Sequence, residues 1–167
     1  MDYSSNIINI NIYDQSVYAE YGYEGHELIE ESLTSTVETL AATKPIRNRL
    51  RLVFHKKKSM KISEERFVKA YTNSIKNKVT EKNNEIKRCF TTGIILLFVG
   101  FALLAFDVFV AASMGEFIYE FFNIFAWVFC WAAVEIFTIH LVQLIIDKRK
   151  YKRLLSVEIL FKIMGEE

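Results

Sequence analysis

The chain predicts a membrane α-helical hairpin of two transmembrane helices, joined to a small cytoplasmic α/β domain of about three strands and two helices that the C-terminal strand completes. Three observations predict it. Two apolar runs, residues 90–112 and 117–146, are each long enough as a helix to cross a hydrocarbon core of about 30 Å. Lys and Arg crowd against one end of each run. Segments near both ends of the chain alternate apolar with polar residues, the period of a half-buried strand.

The first run, FTTGIILLFVGFALLAFDVFVAA from Phe90 to Ala112, is 23 residues with one charge, Asp107. The second, Phe117 to Ile146, has Glu120, Glu135 and His140 as its ionisable members. These runs lift the hydrophobic share to 51% with 14 Phe, high for an ordinary soluble domain. Neither is expected to be a signal peptide, because the first begins some ninety residues in, without the basic, apolar and small-residue order of a leader.

The net charge of +1 conceals a segregation that orients the hairpin. Residues 1–43 hold eight acids and no Lys or Arg, whereas residues 44–88 hold fifteen bases and four acids. Residues 89–146 carry −4 and residues 147–167 carry +2. The bases sit in HKKKSMK, NEIKR and DKRKYKR, while the connection SMGEFIYEFFN has none. By the positive-inside rule both termini are expected in the cytoplasm and the connection outside. The expected segments are a cytoplasmic α/β domain at 1–89 whose long helix leads into the membrane, a transmembrane helix at 90–112, an external loop at 113–117, a second transmembrane helix at 118–146, and a basic segment with returning strand at 147–167.

Each soluble element follows from its periodicity. Ile8, Ile10 and Ile12 alternate with Asn9 and Asn11 as a strand, and the stretch containing Tyr13, Tyr18, Tyr21 and Tyr23 is either a second short strand or a packed loop. From Glu24 to about Ala42 the spacing of Ile29, Leu33, Val37, Leu40 and Ala41 makes one helical stripe, acidic in its first half, which Lys44-Pro45 ends. RNRLRLVFHK places Leu50, Leu52 and Phe54 on one strand face. Ser63 with Glu64 and Glu65 starts a helix whose stripe is Val68, Tyr71, Ile75, Val79 and Ile86. No Pro or Gly intervenes before Thr92, so this helix is expected to continue into the first span. Val157, Ile159, Phe161 and Ile163 alternate with Glu158, Leu160 and Lys162 over residues 156–164, a strand that would complete a three-stranded sheet with the acidic helix on one face.

The chemistry-bearing motifs are sparse. There is no phosphate-binding glycine loop, nucleophile elbow or paired-Cys motif. His26 and Glu30 stand four apart, but two groups do not close a metal site, and a surface pair is the expectation; His55, next to three lysines, is expected to be solvated. The tyrosines of residues 13–23 are expected to fill the small core or lie at the membrane surface rather than stack on a ligand. Cys89 and Cys130 fall at different depths and are expected to be unpaired packing residues. No cofactor, metal, small-molecule substrate or enzymatic activity is expected.

Lys56, Lys57, Lys58, Lys61, Lys87, Arg88, Lys148, Arg149, Lys150, Lys152 and Arg153 flank the spans, and anionic lipid headgroups explain them better than nucleic acid. The polar groups within the spans carry the most information. At 1.5 Å per residue, Asp107 lies about 7 Å below the outer surface, level with Asn123, so a hydrogen bond between them is expected across the hairpin. Glu135 lies about 22 Å in, with Trp127 and Trp131 on its face, and His140 five residues further on a different side of the helix. An ionised carboxylate at that depth costs about 2.5–3.5 kcal/mol, relieved by protonation, a partner or a wet cavity. The Trp131 indole, a backbone carbonyl or the Glu135 of a neighbouring subunit could supply the partner, or Glu135 could line an ion path.

AWVFCWAAVEIF and DKRKYKRLLSVEILF, preceded by LVFHKKKSMKISEERFVKAYTNSIKNKVTEKNNEIKR, resemble a family of small bacterial two-span membrane proteins without an assigned function, over roughly residues 50–163. Trp131 and Glu135 match its Trp-x-x-x-acid segment, while Ala132 stands where an acid is common. The resemblance implies the architecture and a bacterial inner-membrane location, and transfers no site. The expected role is therefore a non-enzymatic membrane protein whose α/β domain binds a protein partner or regulates an assembly, as a homo-oligomer or with another protein. The alternative is an oligomeric ion-conducting pore or membrane-disrupting effector with Glu135 at its path.

Overall fold

The computed structural model describes residues 6–12, 17–19, 27–44, 50–57, 62–109, 113 and 115–164. It is mostly helical, with one small sheet. Strands β1 (Ile7–Ile12), β2 (Arg51–Lys56) and β3 (Glu158–Ile163) lie in the order β1-β2-β3. Helix α1 spans Glu31–Ala42 and α2 Glu64–Phe109; α3 (Glu116–Glu135) passes through a π-helical turn at Ile136–His140 into α4 (Leu141–Leu155). The chain forms two compact units, one of residues 1–80 with 149–167 and one of residues 81–148. The division between the units falls within α2, after Thr80.

Both strand pairings of the first unit are parallel, with Ile8 opposite Leu52 opposite Ile159, and Ile10 opposite Phe54 opposite Phe161. Parallel neighbours need a crossover connection. Between β1 and β2 the connection contains α1; between β2 and β3 it is everything from α2 to α4. The C-terminal strand therefore closes the sheet only because the chain comes back through α4. One sheet face carries Ile8, Ile10, Ile12, Leu52, Phe54, Ile159 and Phe161 into a core with Val37 and Ala41 of α1 and Phe67, Ala70, Tyr71 and Ile75 of α2. Phe54, Phe67 and Phe161 interlock with ring centroids 4.9–5.9 Å apart. Asn9, Asn11, Arg51, Leu160 and Lys162 are exposed on the other face, where Arg51 and Glu158 pair at 2.7 Å.

Two local expectations are corrected here, the start of the first helix and the buried stripe of α2. The first helix begins at Glu31 rather than Glu24: Ala19 N–H donates to Leu28 C=O, Glu30 N–H to Val17 C=O, and Ile29 N–H to Ser74 Oγ, holding residues 27–30 extended. Tyr18 and Ile29 form a single antiparallel bridge, while Tyr13, Tyr21, Tyr23 and His26 lie outside the described residues. The buried stripe of α2 is Phe67, Ala70, Tyr71, Ser74 and Ile75, leaving Val68 exposed. Residues one position off a stripe look equivalent by spacing, and packing under the sheet selected the one with Phe67. Tyr71 is held by its hydroxyl, which donates to Leu154 C=O at 3.3 Å, and burial pushes its phenol well above the usual tyrosine range.

In the second unit, α2 and the continuous stretch Glu116–Leu155 are each long and apolar enough to cross a membrane. Gly115, at φ 115°, precedes α3 and accepts from Ile118 and Tyr119 N–H, a backbone that a side chain would strain. The second apolar helix therefore starts at Glu116, two residues before the expected 118.

Candidate functional site

Within residues 81–148 the two apolar helices meet along small residues. Gly93, Gly100 and Asp107 recur at seven-residue spacing on α2, and all three are buried. Ala126 and Ala133 are fully buried on α3. A Cβ on Gly100 would stand 2.6 Å from Cys130 Sγ and 3.2 Å from Cys130 N, and one on Gly93 2.7 Å from the Phe137 ring. Phe90 packs on Phe137 at 5.7 Å and Phe106 on Phe122 at 4.8 Å, defining an antiparallel register. Cys89 and Cys130 are free thiols. Close approach of backbones at small side chains is how apolar helices associate where no hydrophobic force drives them together.

That register sets Asp107 near the level of Asn123, yet the expected hydrogen bond is not formed. Asp107 is 2% exposed and its Oδ1 has no partner, while Asn123 is half-buried. The register of the two helices sets the residues level, but their side chains do not meet in a hydrogen bond. A buried carboxyl oxygen left without a partner is costly.

The Trp127, Trp131 and Glu135 stripe lies on the other side of α3, away from the Gly93–Gly100 seam. Trp127 is 66% and Trp131 68% exposed, and Glu135 is exposed. Among the described residues, no hydrogen bond joins the Trp131 indole to the Glu135 carboxylate. The placement of His140 is also corrected. The chain passes through a π turn, with Leu141 N–H bonded to Ile136 C=O five residues back, and Thr138 Oγ1 donates to Val134 C=O at 2.7 Å. A five-residue step across a π turn is equivalent to a four-residue step in an α-helix, so His140 returns to the side of Glu135. It too is exposed. Spacing could not reveal this, since no Pro or Gly marks the turn; the run of Ile136, Thr138 and Ile139 is its one weak signal.

The basic residues divide. Lys56 Nζ bonds Glu64 Oε1 at 2.8 Å and lies 5.4 Å from the Phe161 ring centroid, and Arg153 donates to Lys44 C=O at 3.3 Å. Those two serve the α/β unit rather than an outside ligand. Lys148 Nζ bonds Asn83 Oδ1 at 2.7 Å. Lys57, Lys87, Arg88, Arg149, Lys150 and Lys152 are exposed, and Lys58 and Lys61 lie outside the described residues. His55 Nε2 is 3.3 Å from Asn9 Oδ1 on the open sheet face.

The site thus belongs to a two-unit, mostly helical protein with a small parallel sheet and two long apolar helices. No protein-family model, curated protein or solved structure matches the chain.

Proposed function

We propose that residues 81–148 span a lipid bilayer as a hairpin, and that the α/β unit, with both termini, lies in the cytoplasm of a bacterial cell as an interaction or regulatory module of a membrane assembly. The observation that carries this is the inverted packing of the hairpin. Its largest apolar side chains point outward, Phe98 and Phe109 being 77% and 83% exposed, while its inner seam holds glycine and alanine. Monomeric soluble proteins rarely leave contiguous apolar surface of that kind in water. The charge pattern supports the orientation, with fifteen bases in residues 44–88, six in residues 147–167 and none in the connection. Exposed Lys57, Lys87, Arg88, Arg149, Lys150 and Lys152 then attract anionic headgroups at about 1 kcal/mol each. The resemblance to small two-span bacterial proteins is part of this reading.

Membranes from cells producing the chain, washed in alkaline carbonate, test it. The protein is expected to stay in the pellet, with protease reaching both termini in inverted vesicles and neither in intact spheroplasts. Release by carbonate, or termini cut from outside, would contradict it. The pore alternative needs copies arranged around Glu135, and a Glu135→Gln variant that abolishes liposome ion flux while leaving assembly intact would favour it over scaffolding.

A further inference from the structure

The outward stripe that runs from α3 into the π turn carries a carboxylate, Glu135, and an imidazole, His140. Among the described residues neither Glu135 nor His140 has a hydrogen-bond or ion-pair partner, and both are exposed. The opposite side of the same helix is filled, with Cys130 and Phe137 against Gly100 and Gly93, so neither group can turn into the hairpin. The π turn puts the two on one side; in an uninterrupted α-helix a five-residue step would separate them. Such turns are rare and occur frequently at functional sites.

We propose that this stripe is the contact with a second copy of the chain, in which His140 of each copy donates a hydrogen bond to Glu135 of the other. The inference rests on the membrane reading above, since it is lipid that leaves an unpaired carboxylate without water. Charge complementarity selects the occupant. A face bearing one acceptor and one donor is complementary to itself under a two-fold axis, so one association satisfies four polar groups with two identical contacts. Two copies in one bilayer share an orientation, which places the axis along the membrane normal. The Glu135–His140 step is about one helical turn, within the reach of two long side chains across a helix pair spaced about 8–10 Å apart. Trp131 and Trp127, one and two turns before Glu135, supply the large rigid apolar area that centres such contacts.

The test uses the full chain, as donor- and acceptor-tagged copies, in phosphatidylcholine–phosphatidylglycerol vesicles diluted with lipid. Energy transfer is expected to fall on dilution with a single dimer transition. Glu135→Leu and His140→Leu are each expected to move its midpoint to an about tenfold higher protein-to-lipid ratio, the scale of one or two interhelical polar contacts. The exchanged variant, Glu135→His with His140→Glu, restores complementarity and is expected to return the midpoint to near the original. That rescue also separates lost pairing from lost folding. Unchanged midpoints in both single variants, no rescue by the exchange, or complexes larger than two would overturn the pairing. Removal of the protein from vesicles by alkaline wash would instead overturn the membrane reading beneath it.

Discussion

The two units of this chain pack by opposite rules. In the α/β unit the largest side chains are the most buried, with Phe54, Phe67 and Tyr71 beneath the sheet and Asn9, Asn11 and Lys162 outside. In the hairpin the smallest are the most buried, with Gly93, Gly100, Ala126 and Ala133 along the seam and phenylalanine and tryptophan outside. Water drives bulky apolar groups together and accounts for the first arrangement. It gives no account of the second, which follows when the surroundings are as apolar as the side chains and close backbone approach is what remains to gain.

Removing one strand should break the first unit most severely. Ending the chain after Leu155 deletes β3, uncovers Leu52 and Phe54 along one edge and leaves two strands, which rarely hold alone. Limited proteolysis is expected to digest residues 1–80 as though unfolded, while helices in the vesicle-bound hairpin persist. Retained protease resistance would mean that the sheet does not need its returning strand. A substitution at the seam sharpens the other half of the comparison. Gly100→Leu drives a side chain into Cys130 and the α3 backbone, and should destabilise the hairpin by about 1–3 kcal/mol or more, measured by unfolding in detergent.

Asp107→Leu should act in the opposite direction. It replaces a buried carboxyl lacking a partner on Oδ1 with an apolar side chain, so hairpin stability is expected to be unchanged or raised by about 1 kcal/mol or more. A large loss would show that the carboxyl has an essential partner. The smallest expected effect lies on the surface of the α/β unit. Arg66 bonds Glu27 at 2.5 and 2.6 Å and holds its carboxyl below the usual glutamate range. A lowered folded pKa adds stability that is present above the ordinary glutamate value and is lost as pH falls through the folded one. Glu27→Gln should flatten that part of the acid unfolding profile of the α/β unit, and an unchanged profile would show that the pair contributes nothing.

How much of this was legible differs between the units for the same physical reason. Alternation at Ile8–Ile12 and Val157–Ile163 identified the outer strands, because one sheet face is buried and the other open. That same pattern is silent on direction. The parallel pairing is set by the crossovers, which could have been anticipated from the absence of a short turn between any two strands. The helical stripes were legible to within one residue, as the substitution of Phe67 for Val68 in the core illustrates. In the hairpin the length and apolar character of each run were legible, since hydropathy reports them. Rotation about the helix axis was not, because almost every position is apolar and no polar face marks the outside. Hence Asn123 was correctly levelled with Asp107 and wrongly joined to it, and the π turn that realigns His140 with Glu135 left no mark in composition.

In the proposed span the bulky outer surface of the hairpin meets lipid rather than water, and the chain's two tryptophans, Trp127 and Trp131, both lie on that surface. Intrinsic fluorescence of the full chain in vesicles containing brominated acyl chains reports their surroundings without any substitution. Strong quenching by the brominated lipid and little by aqueous iodide are expected. Efficient iodide quenching with no response to the brominated lipid would contradict it.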